Sequence, residues 1–136
     1  MAETSEESTF NSIHKNIRKS KYLTNVQKKR LTKIFGSRFI AAYKAVENGN
    51  VRKYIFNPSR RKVWIVTGKE RDYYILPLAN FCSCFDFYFR VIDYEVSFCY
   101  HLIAQKIAES LGWYDRIDVE DDMYDVLMKE WRKVTL

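Results

Sequence analysis

Hydrophobic positions along the chain keep a helical rhythm, lose it, and then recover it. Phe10, Ile13 and Ile17 recur at helical spacing and predict a short amphipathic helix from about Thr9, with Lys15, Arg18 and Lys19 on its wet side. Residues near Ser20–Tyr22 break the pattern. Thr24 or Asn25 then caps a longer predicted helix running to about Glu47, in which Leu31, Ile34, Phe35, Phe39, Ala42, Tyr43 and Val46 repeat with the helical period. Gly36 falls inside that repeat and weakens it slightly, and Asn48-Gly49-Asn50 ends it.

Beyond Asn50 the pattern shortens. Val51–Phe56, Lys62–Thr67 and Tyr73–Leu76 are brief, rich in β-branched and aromatic residues, and separated by Asn57-Pro58-Ser59-Arg60 and Gly68-Lys69-Glu70-Arg71-Asp72. These predict a three-stranded antiparallel meander. Asp86–Ile92 reads as a short helix or irregular aromatic segment, and Asp93–Ser97 as a loop. Helical spacing returns from about Ser97 to Leu111, with Leu102, Ile103, Ala104, Ile107, Ala108 and Leu111 inward and Gly112 as the stop. A last helix is expected over residues 117–134, capped by Asp118, with Val119, Met123, Val126, Leu127, Trp131 and Val134 as its buried stripe. The predicted class is α+β, with N-terminal helices, a β-meander, a metal-clamped ββα-like module and C-terminal helices.

A length of 136 residues fits one domain, read here as a disordered acidic start (1–8), a basic helical region (9–48), a metal module (51–112) and the C-terminal helix. With 47% hydrophobic and 16% aromatic residues the chain can bury a sizeable core. No apolar run approaches a membrane span, and the polar, acidic N-terminus is unlike a signal peptide, so an intracellular location is expected, cytoplasmic or nuclear.

The three cysteines and His101 form the motif Cys82-x-Cys84, fourteen intervening residues, then Cys99-x-His101. Cys82 and Cys84 sit too close to favour bridging one another, and an odd cysteine count argues against a disulfide framework. Two tight ligand pairs suit a tetrahedral structural zinc site, and one Zn2+ held by Cys82, Cys84, Cys99 and His101 is the expected cofactor. The alternative, buried cysteines beside an incidental histidine, is the weaker reading. Four protein ligands leave no open position for catalytic water. Thiols committed to a metal make poor nucleophiles, and no phosphate-cradling glycine loop or G-x-S-x-G elbow occurs. No catalytic activity and no small-molecule substrate are expected. His14, among Lys and Asn residues, reads as an exposed polar side chain.

This motif, following a meander that carries Trp64, resembles the SWIM zinc finger over about Val51 to Ser110. More narrowly, Cys82-Ser83-Cys84, the aromatic run Phe85–Phe89 and Cys99-Tyr100-His101-Leu102-Ile103-Ala104 are similar to the extended C-x-C…C-x-H-x-x-A form. That form belongs to the small SWIM proteins of Shu-type complexes and to stand-alone archaeal SWIM proteins. The resemblance implies that the same four residues are the zinc ligands and that Ala104 packs beside them. It also implies a RecA-family recombinase paralogue as partner, in homologous recombination and DNA repair. Tyr100 departs from the basic residue common at that position.

The net charge of +6 is unevenly distributed. Ser8–Val46 holds ten Lys or Arg and no acid, whereas Asp115–Leu136 holds seven acids against four bases. Lys28, Lys29, Arg30, Lys33 and Arg38 on the long predicted helix, and Arg60, Arg61 and Lys62 at the first hairpin, are the candidate nucleic-acid contacts. A solvated helix face explains the first group equally well. Phe85, Phe87, Tyr88 and Phe89 read as a seal around the metal, a docking patch or a base-stacking surface, the first being favoured. Asp118, Glu120, Asp121, Asp122 and Asp125 are accounted for by a helix N-terminus, and they lack the glycine and distal glutamate of an EF-hand. Two functions follow: an interaction module near nucleic acid with a recombinase paralogue, or a direct DNA- or RNA-binding regulator without one.

Overall fold

The computed structural model describes residues 5–68, 71–79, 81–84 and 98–133. Expectations for residues 86–97, for the aromatic run at 85–89 and for Val134 lie outside these. The helices are α1 (Ser5–Ser20), α2 (Asn25–Phe35), α3 (Ser37–Glu47), α4 (Tyr100–Leu111) and α5 (Tyr124–Arg132). The strands are β1 (Val51–Asn57), β2 (Arg61–Thr67), β3 (Asp72–Leu76), β4 (Phe81–Cys82) and β5 (Asp115–Glu120). The chain is α+β, as its sequence pattern predicts.

In α1 the residues Phe10, Ile13 and Ile17 are buried, as their spacing requires. The helix begins earlier than expected. Residues 5–8, read from sequence as disordered, form its first turn, where Glu6 and Glu7 suit the positive end of the helix dipole. Thr24 starts α2 with a capping box: its hydroxyl accepts from the Gln27 N–H at 3.1 Å, and Gln27 Oε1 accepts from the Thr24 N–H at 2.8 Å. The single long helix expected to Glu47 is two. Gly36 adopts φ 61° and ψ −132°, a conformation open to glycine, and the chain turns there before α3 restarts.

The predicted meander is present, extended to a mixed five-stranded sheet of order β4-β3-β2-β1-β5. β1, β2, β3 and β4 pair antiparallel in succession, with Val51 opposite Val66, Trp64 opposite Ile75 and Ile75 opposite Cys82. β5 pairs parallel to β1, Tyr54 lying opposite Ile117 and Phe56 opposite Val119. Residues 117–120 were expected to open a helix. Instead Ile117 and Val119 alternate with exposed Arg116, Asp118 and Glu120, a strand period on an edge, and α5 starts only at Tyr124. Asp118 is therefore not a helix cap. Met128 and Trp131 are the buried residues of α5, while Met123 and Val126 are exposed, contrary to the expected stripe.

Each face of the sheet covers a core. On one, Val51, Trp64, Val66, Ile75 and Cys82 pack under α1 to α4. On the other, Tyr54, Phe56, Val63 and Ile65 pack with Met128 and Trp131 of α5. Trp131 meets Tyr54 edge-on at 4.8 Å, and Tyr124 meets Phe56 at 5.0 Å. α4 is the central helix of the first core, with Leu102, Ile103, Ala104, Ile107 and Ala108 buried and Gly112 ending it in the left-handed conformation.

Candidate metal centre

Two local structures bring the four predicted ligands together. The β3–β4 hairpin places Cys82 opposite Ile75 on the core face. It continues one residue further, the Ser83 N–H donating to the Tyr74 carbonyl at 3.1 Å and the Ser83 hydroxyl accepting from the Tyr74 N–H at 3.1 Å. That second clasp holds the chain in place as it delivers Cys84. On the other side Cys99 is the N-cap residue of α4, extended at φ −76° and ψ 167°, and its carbonyl accepts the first helical bond from Ile103 at 3.2 Å. His101 follows in the first turn.

The donor atoms of Cys82, Cys84, Cys99 and His101 all lie within 4.8 Å of one another, and all four residues are buried. Both ring nitrogens of His101 are buried without a hydrogen-bond partner among the described residues. A buried imidazole in that condition loses the hydrogen bonds that water would give it, unless one nitrogen serves as a ligand. Its ring contacts those of Tyr73, with centroids 4.2 Å apart, and Tyr100, at 3.8 Å. The three sulfurs concentrate charge unevenly. Hydrogen bonds from Cys82 and Cys99 hold the Cys84 thiol far below its usual range, and sharing hydrogen bonds with Cys84 and Cys99, together with burial, pushes Cys82 far up. Full ionisation of all three thiols in so small a volume needs a cation among them. The donor set, three sulfurs and one nitrogen with no carboxylate, is that of a structural zinc site rather than of calcium or magnesium.

The other candidate residues are scattered. Lys29, Arg30 and Lys33 are exposed on α2, and Lys28 lies 4.8 Å over the Tyr43 ring. Arg38 is not on that basic face. The turn at Gly36 gives α3 its own direction and carries Arg38 inward, where it donates to the Phe98 carbonyl at 2.7 Å and pairs with Glu6 at 3.1 Å. Arg60, Arg61 and Lys62 are exposed at the β1–β2 turn. His14, expected to be exposed, is half-buried and stacked on Phe10 at 6.0 Å, with a buried Nε2 that has no partner among the described residues. Two residues of interest were not singled out from sequence: Tyr73, which covers His101, and Lys53, which lies 5.2 Å over the Trp64 ring. The available signal for Lys53 was a lysine at a core-facing position of a strand, between Val51 and Ile55.

A closed Cys3His quartet joining a hairpin to a helix N-terminus defines a small zinc-finger module. Over 104 residues the chain is 33% identical to zinc finger SWIM domain-containing protein 7 of Mus musculus, covering 74% of this chain and 68% of that protein. Over 93 residues it is 30% identical to the zinc finger SWIM domain-containing protein 7 homolog of Dictyostelium discoideum, covering 67% of this chain and 60% of that one. An uncharacterized protein of Archaeoglobus fulgidus is 32% identical over 97 residues, covering 71% of this chain and 76% of that protein. The chain belongs to the family of zinc finger SWIM domain-containing protein 7, and is a zinc-binding SWIM protein. It spans 60% of the Dictyostelium relative's length. No family model and no solved structure matches it. No described helix is long and apolar enough to cross a membrane.

Proposed function

We propose that the chain is a non-catalytic interaction module, clamped by one zinc ion on Cys82, Cys84, Cys99 and His101, that acts beside DNA in homologous recombination and repair. Its proposed partner is a RecA-family recombinase paralogue, inside the cell. The carrying observation is the quartet itself: four buried protein donors within 4.8 Å of one another match the number a structural zinc ion takes, and a zinc held by all four would have no open position for substrate. The recombination setting rests on the resemblance of the C-x-C…C-x-H-x-x-A motif to that of Shu-type SWIM proteins. The test is co-purification of the tagged chain from native lysate with nuclease present. A RecA-family protein retained after nuclease treatment is the expected result; its absence, or its loss on nuclease treatment, overturns the adaptor reading.

A second reading, a direct DNA- or RNA-binding regulator without a recombinase partner, is favoured by the exposed Lys29, Arg30 and Lys33 on α2. Each phosphate contact would make affinity fall with salt. Binding to single- or double-stranded DNA that is unaffected by Lys29→Glu with Arg30→Glu, or that is insensitive to salt, removes this reading.

A further inference from the structure

A cavity of about 540 Å³ opens where the β1–β2 turn approaches the connection from β3 to β4. Its described rim is cationic, with Lys53 from β1, Arg60 from the turn, and Arg61 and Lys62 from the start of β2. None of the four makes an ion pair among the described residues. Arg60 donates to the Asn57 side-chain oxygen at 2.9 Å, and Arg61 to the Ser59 hydroxyl at 3.4 Å. Glu109, also in the wall, is engaged by Arg18 at 3.4 Å. Four cationic side chains thus share the wall with one carboxylate, and burial, then the charge of Lys62, lower the Lys53 pKa while Glu109 opposes them.

The rest of the wall discriminates between anions. Trp64 and Tyr124 line the cavity, but their rings are already engaged. Lys53 lies 5.2 Å over Trp64, which Tyr114 also meets at 4.7 Å; Arg61 lies 4.0 Å over Tyr124, which Phe56 meets at 5.0 Å. A nucleobase needs an open aromatic face on which to stack. What remains is aliphatic: Val63, Leu76, Pro77 and a fully exposed Leu78.

We infer that this cavity docks a protein segment in which an aliphatic side chain is flanked by carboxylates, the aliphatic group meeting Leu76 and Leu78 and the carboxylates meeting Lys53, Arg60 and Lys62. The inference rests on the adaptor reading and specifies the chemistry of its partner. The probe is a short fluorescein-labelled peptide with one leucine between runs of glutamate, titrated against the zinc-loaded full chain by fluorescence anisotropy. Binding should weaken as salt rises, and by about tenfold for Arg60→Glu with Lys62→Glu. It should weaken by about tenfold when the peptide leucine becomes serine, or Leu78 becomes serine. These residues are exposed, and unchanged circular dichroism and zinc content show that the variants still fold. No binding, or binding indifferent to the leucine, overturns the inference. So does an oligothymidylate that displaces the peptide and depends on the same residues, which would make the site a polynucleotide surface. Peptide binding without a co-purifying recombinase paralogue refutes the adaptor reading alone. Co-purification undiminished by the double substitution, with no peptide binding, refutes the cavity alone.

Discussion

Arg38→Ala should destabilise the protein far more than it affects any nucleic-acid affinity. The Arg38 side chain is 15% exposed and braces the segment leading into Cys99. It donates to the Phe98 carbonyl at 2.7 Å, pairs with Glu6 at 3.1 Å, and lies 5.2 Å over the Phe35 ring. A charged hydrogen bond to a carbonyl that would otherwise be left without its donor is worth about 1.5–3 kcal/mol. The ring contact adds about 0.5–1 kcal/mol, and the ion pair, with Glu6 27% exposed, adds less than about 1 kcal/mol. These share one guanidinium and do not sum fully, so a loss of about 2–4 kcal/mol is expected. For a chain of 136 residues that lowers Tm by roughly 6–16 °C. Glu6→Gln, which removes the Glu6 charge and leaves the Arg38–Phe98 hydrogen bond in place, should cost less than Arg38→Ala. Thermal melts and urea titrations of the two variants, run beside a DNA-binding titration, decide the matter. An Arg38→Ala protein with unchanged Tm and lowered DNA affinity would refute this account and return Arg38 to the basic face.

The metal site predicts that elemental analysis finds about one zinc per chain, and that Cys99→Ser and chelation lower Tm by similar amounts. Equal stability with and without metal would refute it. His14 sets an acid-side loss of stability. Burial first, then the charges of Arg18 and Lys106, lower its pKa from 6.5, so the unfolded chain takes up the proton before the folded one does. Stability is complete above that ordinary value and falls as pH drops below it, by no more than about 1.4 kcal/mol per pH unit. His14→Gln should flatten the urea midpoint between neutral and mildly acidic pH, and an unchanged slope refutes the assignment. Gly36→Ala, at φ 61° and ψ −132° with no neighbouring atom to clash, should cost about 1–3 kcal/mol through backbone strain alone. A neutral result in denaturant titration would mean that the turn relaxes.

Much of the fold was legible because local rules governed it. Thr24 capped where a threonine before an apolar helical repeat should, and Asn48-Gly49-Asn50 stopped the chain. The meander followed its β-branched runs. The metal quartet was legible for the same reason, since two short-range pairs carry their own signature and need only one long-range meeting. What was not legible depended on tertiary partners. Asp115–Glu120 becomes a strand because β1 offers a parallel edge, and no hairpin spacing announces a parallel pairing. Its acids look like a helix start when read alone. Glycine is tolerated inside many helices, so Gly36 alone does not announce that α2 and α3 are separate. Arg38 followed from that break, because its side chain changed faces with the helix direction.

The metal and the proposed cavity are coupled by the chain itself. Ile75 lies opposite Cys82 and Leu76 opposite Phe81, so the Pro77–Ala79 turn belongs to the connection whose far end the metal pins. β4 has two residues, too few backbone bonds to hold that connection without help. A zinc ion on the quartet would tie Cys82 and Cys84 to Cys99, the N-cap of α4, and to His101 in its first turn, and α4 is anchored in the core by Leu102, Ile103 and Ile107. Pro77 and Leu78 are the part of the cavity wall that this tie positions, while Arg60 on the β1–β2 turn and Arg61 and Lys62 at the start of β2 do not depend on it. Chelation should therefore weaken the acidic peptide through its leucine and leave its electrostatic attraction in place. Stripped of zinc, the chain should bind the leucine peptide and its serine variant alike, with the same salt dependence. A leucine preference that survives full zinc removal would show that the β3–β4 connection keeps its shape without the metal.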